Sequence, residues 1–179
     1  MENANGKMTN ALEFSGVIIK ARGGHKELRI PGRKELPIAP ADWPEILFPG
    51  SLNVLLGQSG YPPEMSFRRL PLTVKSLDVA GFQPEFVIEQ ELMGNNKLTR
   101  TRSMPNRGTA QVWRCKLSVR DQDICCWVLR RFGSGLDQEL EIVSGEGIRS
   151  SYGLPEEKQW LAKVRMFGNW AGDLQYRAP

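Results

Sequence analysis

Between Ala110 and Arg131 the chain alternates apolar and polar residues along two runs, Ala110–Val119 and Asp123–Arg131, broken by the polar Arg120-Asp121-Gln122-Asp123. Period-2 alternation marks a strand with one buried face, and a short polar break between two such runs is a hairpin loop. In the first run Trp113, Cys115, Leu117 and Val119 share the face expected to be core. Val112, Arg114, Lys116 and Ser118 share the other face. Similar strand signals recur at Phe14–Lys20, Leu52–Leu56, Leu72–Leu77, Glu85–Leu92, Glu139–Val143 and Trp160–Phe167. Helix is scarce. One short helix is expected to end at Ser150-Ser151-Tyr152-Gly153, with Gly153 as its left-handed stop. A single further turn is expected at Ala41–Ile46, capped by Asp42. Many short strands, 18 glycines and 12 prolines predict a mainly β fold, a small closed or nearly closed barrel.

The 179 residues suffice for one domain with a full core. The expected division is a disordered tail over 1–11, a barrel domain over 12–170 and a tail over 171–179. No window approaches the ~20 continuous apolar residues of a membrane span, and the polar Met1–Ala11 stretch lacks the apolar core of a signal peptide. A cytoplasmic protein is the expectation. Cys125 and Cys126 are adjacent and face opposite sides of a strand, with Cys115 on its neighbour. With no CxxC spacing and one histidine, a zinc site is not expected, and the thiols read as buried and reduced. Net charge is +4, and the excess is local: Arg68-Arg69, Arg130-Arg131, and Lys97, Arg100, Arg102 and Arg107. Such clusters attract phosphates, whether of nucleotides or of nucleic acid, and are also common on solvated loops.

The chemistry concentrates at Phe48-Pro49-Gly50-Ser51-Leu52-Asn53-Val54-Leu55-Leu56. A Pro-Gly turn feeds an apolar strand, and Ser51 and Asn53 stand on one face at its mouth. A hydroxyl and an amide carbonyl so placed can share a hard cation such as Mg²⁺. The same residue types also serve as a turn and its cap. Further on, Glu139 and Glu141 share the face of a strand opposite Leu140 and Ile142, a pattern that also describes a solvated amphipathic strand.

Two stretches together resemble the archaeal-type CTP-dependent riboflavin kinases. That family carries Pro-Gly-Thr-Leu-Asn-Leu, and later a strand ending Glu-Ile-Ile, a Leu-Arg pair and a Leu-x-x-Gly-Asp turn into the last strand. The equivalents are Pro49 to Val54, Glu141-Ile142-Val143, Ile148-Arg149 and Leu154 to Glu157, and the resemblance covers roughly residues 14–167. It implies a six-stranded cradle-loop barrel with one short helix before the last strand. It also implies phosphoryl transfer from a nucleoside triphosphate, CTP in the family, to riboflavin, giving FMN. Ser51 and Asn53 match the family's Mg²⁺-binding threonine and asparagine. Glu141 matches the residue expected to orient or deprotonate the ribityl hydroxyl, and Gly23, Gly24, His25 and Lys26 match part of a nucleotide-binding glycine loop.

The chain departs from the family in two places. Phe132-Gly133-Ser134-Gly135-Leu136 replaces polar side chains with glycines, and Met93–Gly108 is longer and more basic than the family's turn. The basic segment suits a lid over a triphosphate, a polyanion site or a solvated excursion. Trp113, Trp127 and Trp160 read as core, whereas Trp43, Trp170 and Phe48 stand in irregular segments where an exposed ring can stack on a flavin or a base. Two other functions fit the same features. One is a non-catalytic nucleotide- or flavin-binding module. The other is a nucleic-acid-binding barrel, although no aromatic residue lies between Leu92 and Val112.

Overall fold

The alternating runs on either side of Arg120 form the hairpin that their pattern predicts. The structure, a computed structural model, describes residues 10–20, 30–56, 82–93, 109–131 and 138–170. Among them the strands are β1 (Asn10–Ile19), β2 (Leu52–Leu56), β3 (Phe82–Gln83), β4 (Phe86–Ile88), β5 (Ala110–Val119), β6 (Gln122–Arg131), β7 (Glu139–Val143) and β8 (Trp160–Trp170). β5 and β6 pair from Ala110↔Arg131 to Val119↔Gln122, so the loop is two residues long rather than four. Both loop residues, Arg120 and Asp121, have positive φ (50° and 59°). That conformation gives a two-residue turn the twist its strands need. Arg120 is held there by its Nη1, which donates to the Gly153 carbonyl at 3.1 Å, and by its stacking over Trp160 at 5.0 Å.

β1, β2, β7, β6, β5 and β8 form a ring of antiparallel pairs that closes where β5 meets β8. The expected six-stranded closed barrel is therefore present. Two short strands extend it: β3 pairs with the end of β8, and β4 with the start of β5. The single α-helical turn among the described residues, α1 (Ile148–Ser151), precedes β8, and Gly153 follows it at φ 62°, as expected of its stop. No helix among the described residues is long and apolar enough to cross a membrane.

Inside the ring lie Phe14, Val54, Trp113, Leu117, Leu140 and Val164, among others. The β5 face expected to be core is buried there, as predicted. A second apolar cluster sits outside the barrel wall, where residues 30–48 run as a strap over β5, β6 and β7. Val112, assigned to the outer face, is buried beneath this strap. Trp43 anchors it: the indole is 1% exposed and meets Phe86 and Trp127 edge to face at 5.0 and 5.1 Å. Its Nε1 donates to the Pro31 carbonyl at 3.1 Å. Trp43 is thus a core residue and not a stacking platform.

Other expectations are corrected by the same packing. Ala41–Ile46 forms turns rather than a helix, and the Asp42 carboxylate binds Arg114 (2.6 and 2.9 Å) across the strap. The strap's helical turn is a 3-10 turn at Arg33–Glu35. The first strand begins at Asn10, inside the expected tail, because β8 is long enough to pair with it there. Glu85–Leu92 is not one strand: β4 ends at Ile88, and a 3-10 turn follows at Gln90–Leu92. Cys125 is exposed on the outer face, whereas Cys115 and Cys126 are buried directly opposite each other with Sγ atoms 3.4 Å apart. Burial pushes the Cys115 thiol well above its ordinary pKa. The strand expected at Leu72–Leu77 lies outside the described residues.

Two outcomes test this account. Asp121→Gly relieves a left-handed backbone at a non-glycine residue and should raise stability by about 0.5–1 kcal/mol in urea unfolding. Hydrogen bonds from Arg114 hold the Asp42 carboxyl below its ordinary pKa of 3.8. Its contribution is complete above that value and is lost as pH falls through the depressed one. Because the pair is partly exposed, Asp42→Asn should cost less than ~1 kcal/mol at pH 7. It should cost nothing once the native carboxyl is protonated.

Candidate functional site

The β2–β7 ladder joins the two motifs that stand far apart in sequence. Gly50, at φ 96°, turns the chain into β2, a backbone conformation that glycine tolerates and larger residues resist. The turn is fixed from below by the Phe48 N–H, which donates to the Ser144 carbonyl just past β7 at 2.9 Å. Register then sets Asn53 opposite Glu141 and Leu55 opposite Glu139. Because strand side chains alternate, Leu52, Val54, Leu140 and Ile142 enter the barrel, and Ser51, Asn53, Glu139 and Glu141 share its outer face.

On that face Ser51 Oγ lies 3.2 Å from Asn53 Oδ1 and 3.5 Å from Glu141 Oε1. Asn53 Nδ2 donates to Glu139 Oε2 at 3.1 Å, which turns the amide oxygen toward Ser51. Arg131, at the end of β6, places Nη2 3.3 Å from Glu141 Oε1. The carboxylates are not solvated. Glu139 is 4% exposed and Glu141 3%, so the amphipathic-strand reading fails on its outward half. β7 is buried on both faces, and its outer face is polar because those side chains bond one another.

The donor set suits a hard divalent cation. Mg²⁺ binds oxygen at ~2.0–2.1 Å in octahedral geometry, which places neighbouring ligand oxygens about 3.0 Å apart. Ser51 Oγ and Asn53 Oδ1, 3.2 Å apart, need only a small contraction to meet that spacing. Among the described residues no group of three or more His, Cys, Asp or Glu side chains could hold a metal. A hydroxyl and an amide oxygen make a partial set, the kind that Mg²⁺ completes with water and phosphate oxygens, and the Glu141 carboxylate stands beside it.

Neighbouring elements converge here as well. Ile19, at the end of β1, pairs with Asn53, so the chain leaves β1 beside the site. Arg149 of α1 secures that end by donating from Nη2 to the Ile19 carbonyl at 2.7 Å. Gly23, Gly24, His25 and Lys26 lie outside the described residues, as do the glycine loop 133–135 and Lys97, Arg100, Arg102 and Arg107. Phe48 is 48% exposed and borders the turn into Ser51, whereas the indole of Trp113 is buried in the barrel. Sequence reasoning missed Glu139 and Arg131 as members of the site. The period-2 pairing of Glu139 with Glu141 was visible, but a partner for either carboxylate was not. Comparison with models of known protein families gives no match, and no curated protein matches the chain.

Asn53→Leu keeps the branching and heavy-atom count of the side chain but removes the donor to the buried Glu139 carboxylate. We expect a loss of about 1–3 kcal/mol in chemical unfolding. Ser51→Ala, at a half-buried hydroxyl, should lose less.

Proposed function

We propose that the chain is a magnesium-dependent phosphoryl transferase of the riboflavin-kinase type. It takes a nucleoside triphosphate, CTP in the family it resembles, together with riboflavin, and gives FMN. One observation carries this reading: Ser51 Oγ stands between Asn53 Oδ1 and Glu141 Oε1, residues drawn from two motifs that register brings together. In this reading Ser51 and Asn53 hold Mg²⁺, which neutralises charge on the phosphate oxygens. Glu141 accepts the hydrogen bond of the riboflavin hydroxyl, orients it toward the phosphorus and takes its proton. Its burial means that the hydroxyl approaches from the half-buried Ser51 side. Glu139 fixes the Asn53 amide, and the segment with Gly23, Gly24, His25 and Lys26 continues from a strand that ends opposite Asn53. Reaction of this type needs placement and charge neutralisation rather than covalent help. A cytoplasmic place accords with it.

A second reading is a non-catalytic flavin- or nucleotide-binding module. It is favoured by one feature, that Ser51, Asn53, Glu139, Glu141 and Arg131 already satisfy one another. A nucleic-acid-binding role draws no comparable support from the described residues.

Titration calorimetry with riboflavin, FMN, CTP, CDP and ATP, each with and without Mg²⁺, separates these readings. The enzyme should bind a nucleotide only with Mg²⁺, bind riboflavin as well, and form FMN. Asn53→Ala should weaken the Mg²⁺-dependent binding by at least about tenfold, the loss of one ligand and its orientation. Binding without turnover selects the module, and no binding across the panel ends both.

A further inference from the structure

The geometry points to Cys115 and Cys126 as a thiol pair that closes to a disulfide inside the barrel, with a low-molecular-weight disulfide such as glutathione disulfide as the oxidant. This inference is independent of the phosphoryl-transfer reading. The chain has 3 cysteines, and register separates them. Cys115 stands directly opposite Cys126, whereas Cys125 is opposite Lys116 and exposed on the outer face. Facing residues on antiparallel strands have Cα atoms about 4.5–5.5 Å apart, inside the range of about 4.4–6.8 Å that a disulfide spans. Cys126 donates its S–H to the Ile124 carbonyl at 3.5 Å, and Cys115 donates to the Cys126 sulfur at 3.4 Å. The two sulfurs therefore need to approach by about 1.4 Å to reach the bond length of ~2.05 Å.

The bridge is of the reversible kind. Facing Cβ atoms lie about 4.5–5.5 Å apart, slightly beyond the roughly 3.5–4.5 Å of a relaxed disulfide. Closing it draws the strands together, and a strained bridge is more readily reduced. In the forward direction one protein thiolate attacks a sulfur of glutathione disulfide, whose S–S bond breaks and expels a glutathione thiolate. The second protein thiolate attacks the mixed disulfide, the protein S–S bond forms, and a second glutathione leaves. The protein gives up two electrons and two protons, and the oxidant takes both to become two glutathione thiols. The barrel gates this exchange. Cys115 is 3% exposed and Cys126 4%, and burial pushes the Cys115 thiol well above its ordinary pKa. The attacking thiolate forms when the barrel opens. Cys115 faces Met166 in the short β5–β8 seam, Arg114↔Phe167 to Ser118↔Lys163, that completes the ring. Parting that seam uncovers Cys115 while the β5–β6 ladder keeps the two sulfurs together.

The test uses Cys125→Ser, which alters an exposed side chain and leaves only the two facing thiols. The folded chain is equilibrated with glutathione and its disulfide at ratios from reducing to oxidising, then quenched in acid. Thiol titration, intact mass and circular dichroism are read. The native chain, with Cys125 first blocked by an alkylating agent, is measured in parallel and keeps the test independent of the substitution. We expect both thiols to be free in reducing buffer and both to be lost in oxidising buffer. The mass should fall by two hydrogens in a monomer whose β-sheet spectrum is unchanged, and excess glutathione should restore both thiols. Persistence of both thiols in the folded chain overturns the proposal. So does a glutathione adduct or a disulfide-linked dimer in place of the internal bond, a bond that excess glutathione leaves intact, or a bond that forms only after the chain is unfolded in urea.

Discussion

β5 is hydrogen-bonded along both edges, and the rest of the architecture depends on that double pairing. Along one side it meets β6 over its full length. Along the other it serves β4 from Ala110 to Val112 and β8 from Arg114 to Ser118. Among the described residues, the six-stranded ring that this pairing closes leaves only the short β3 and β4 as edges, and its interior fills with side chains. The same ring fixes β2 between β1 and β7, the position from which Asn53 meets both Ile19 and Glu141. Closure thus does more than bury apolar surface: it sets the distances within the polar cluster.

β7 shows what this placement costs. Its inner face is Leu140 and Ile142, and its outer face carries Glu139 and Glu141 at similar burial. A slip of one residue would send both carboxylates into the apolar interior, so register here is strongly specified. Buried carboxylates are expensive unless hydrogen bonds satisfy them. Asn53, Ser51 and Arg131 provide such bonds from two flanking strands. A few residues further along the same wall, the outer face is instead apolar and is sealed by Trp43. Arg114 couples the two sides of that seal, stacking over Trp127 at 5.1 Å while binding Asp42 and Glu85.

The parts legible in the sequence were those set by local pattern. The hairpin, the inward set from Trp113 to Val119, the barrel and the Gly153 stop all follow from alternation and turn chemistry. Ser51 and Asn53 were legible as a pair because they sit two apart on a strand. What the pattern missed depends on partners remote in the chain. Asp42 looks like a cap until Arg114, 72 residues away, claims its carboxylate. Trp43 looks exposed because the strap has no regular period, although its burial is nearly complete. Glu139 and Glu141 look solvated because alternation gives a side, not what covers it. Arg131 read as one of a basic pair and gave no sign that it faces Glu141.

The ladder between β1 and β8 joins the two ends of the described fold, from Asn10↔Gly168 to Ile18↔Trp160. A ribosome therefore releases the first strand long before its main partner exists. The strap is in the same position, since Trp43 and Asp42 dock on residues of the later hairpin. Non-local pairing of this kind makes folding slow, because loop closure must come before its reward. The central hairpin, whose contacts are local, is the natural seed. Until β8 emerges, the nascent chain carries apolar strand edges with nothing to meet, and this makes timely chaperone protection valuable during its synthesis.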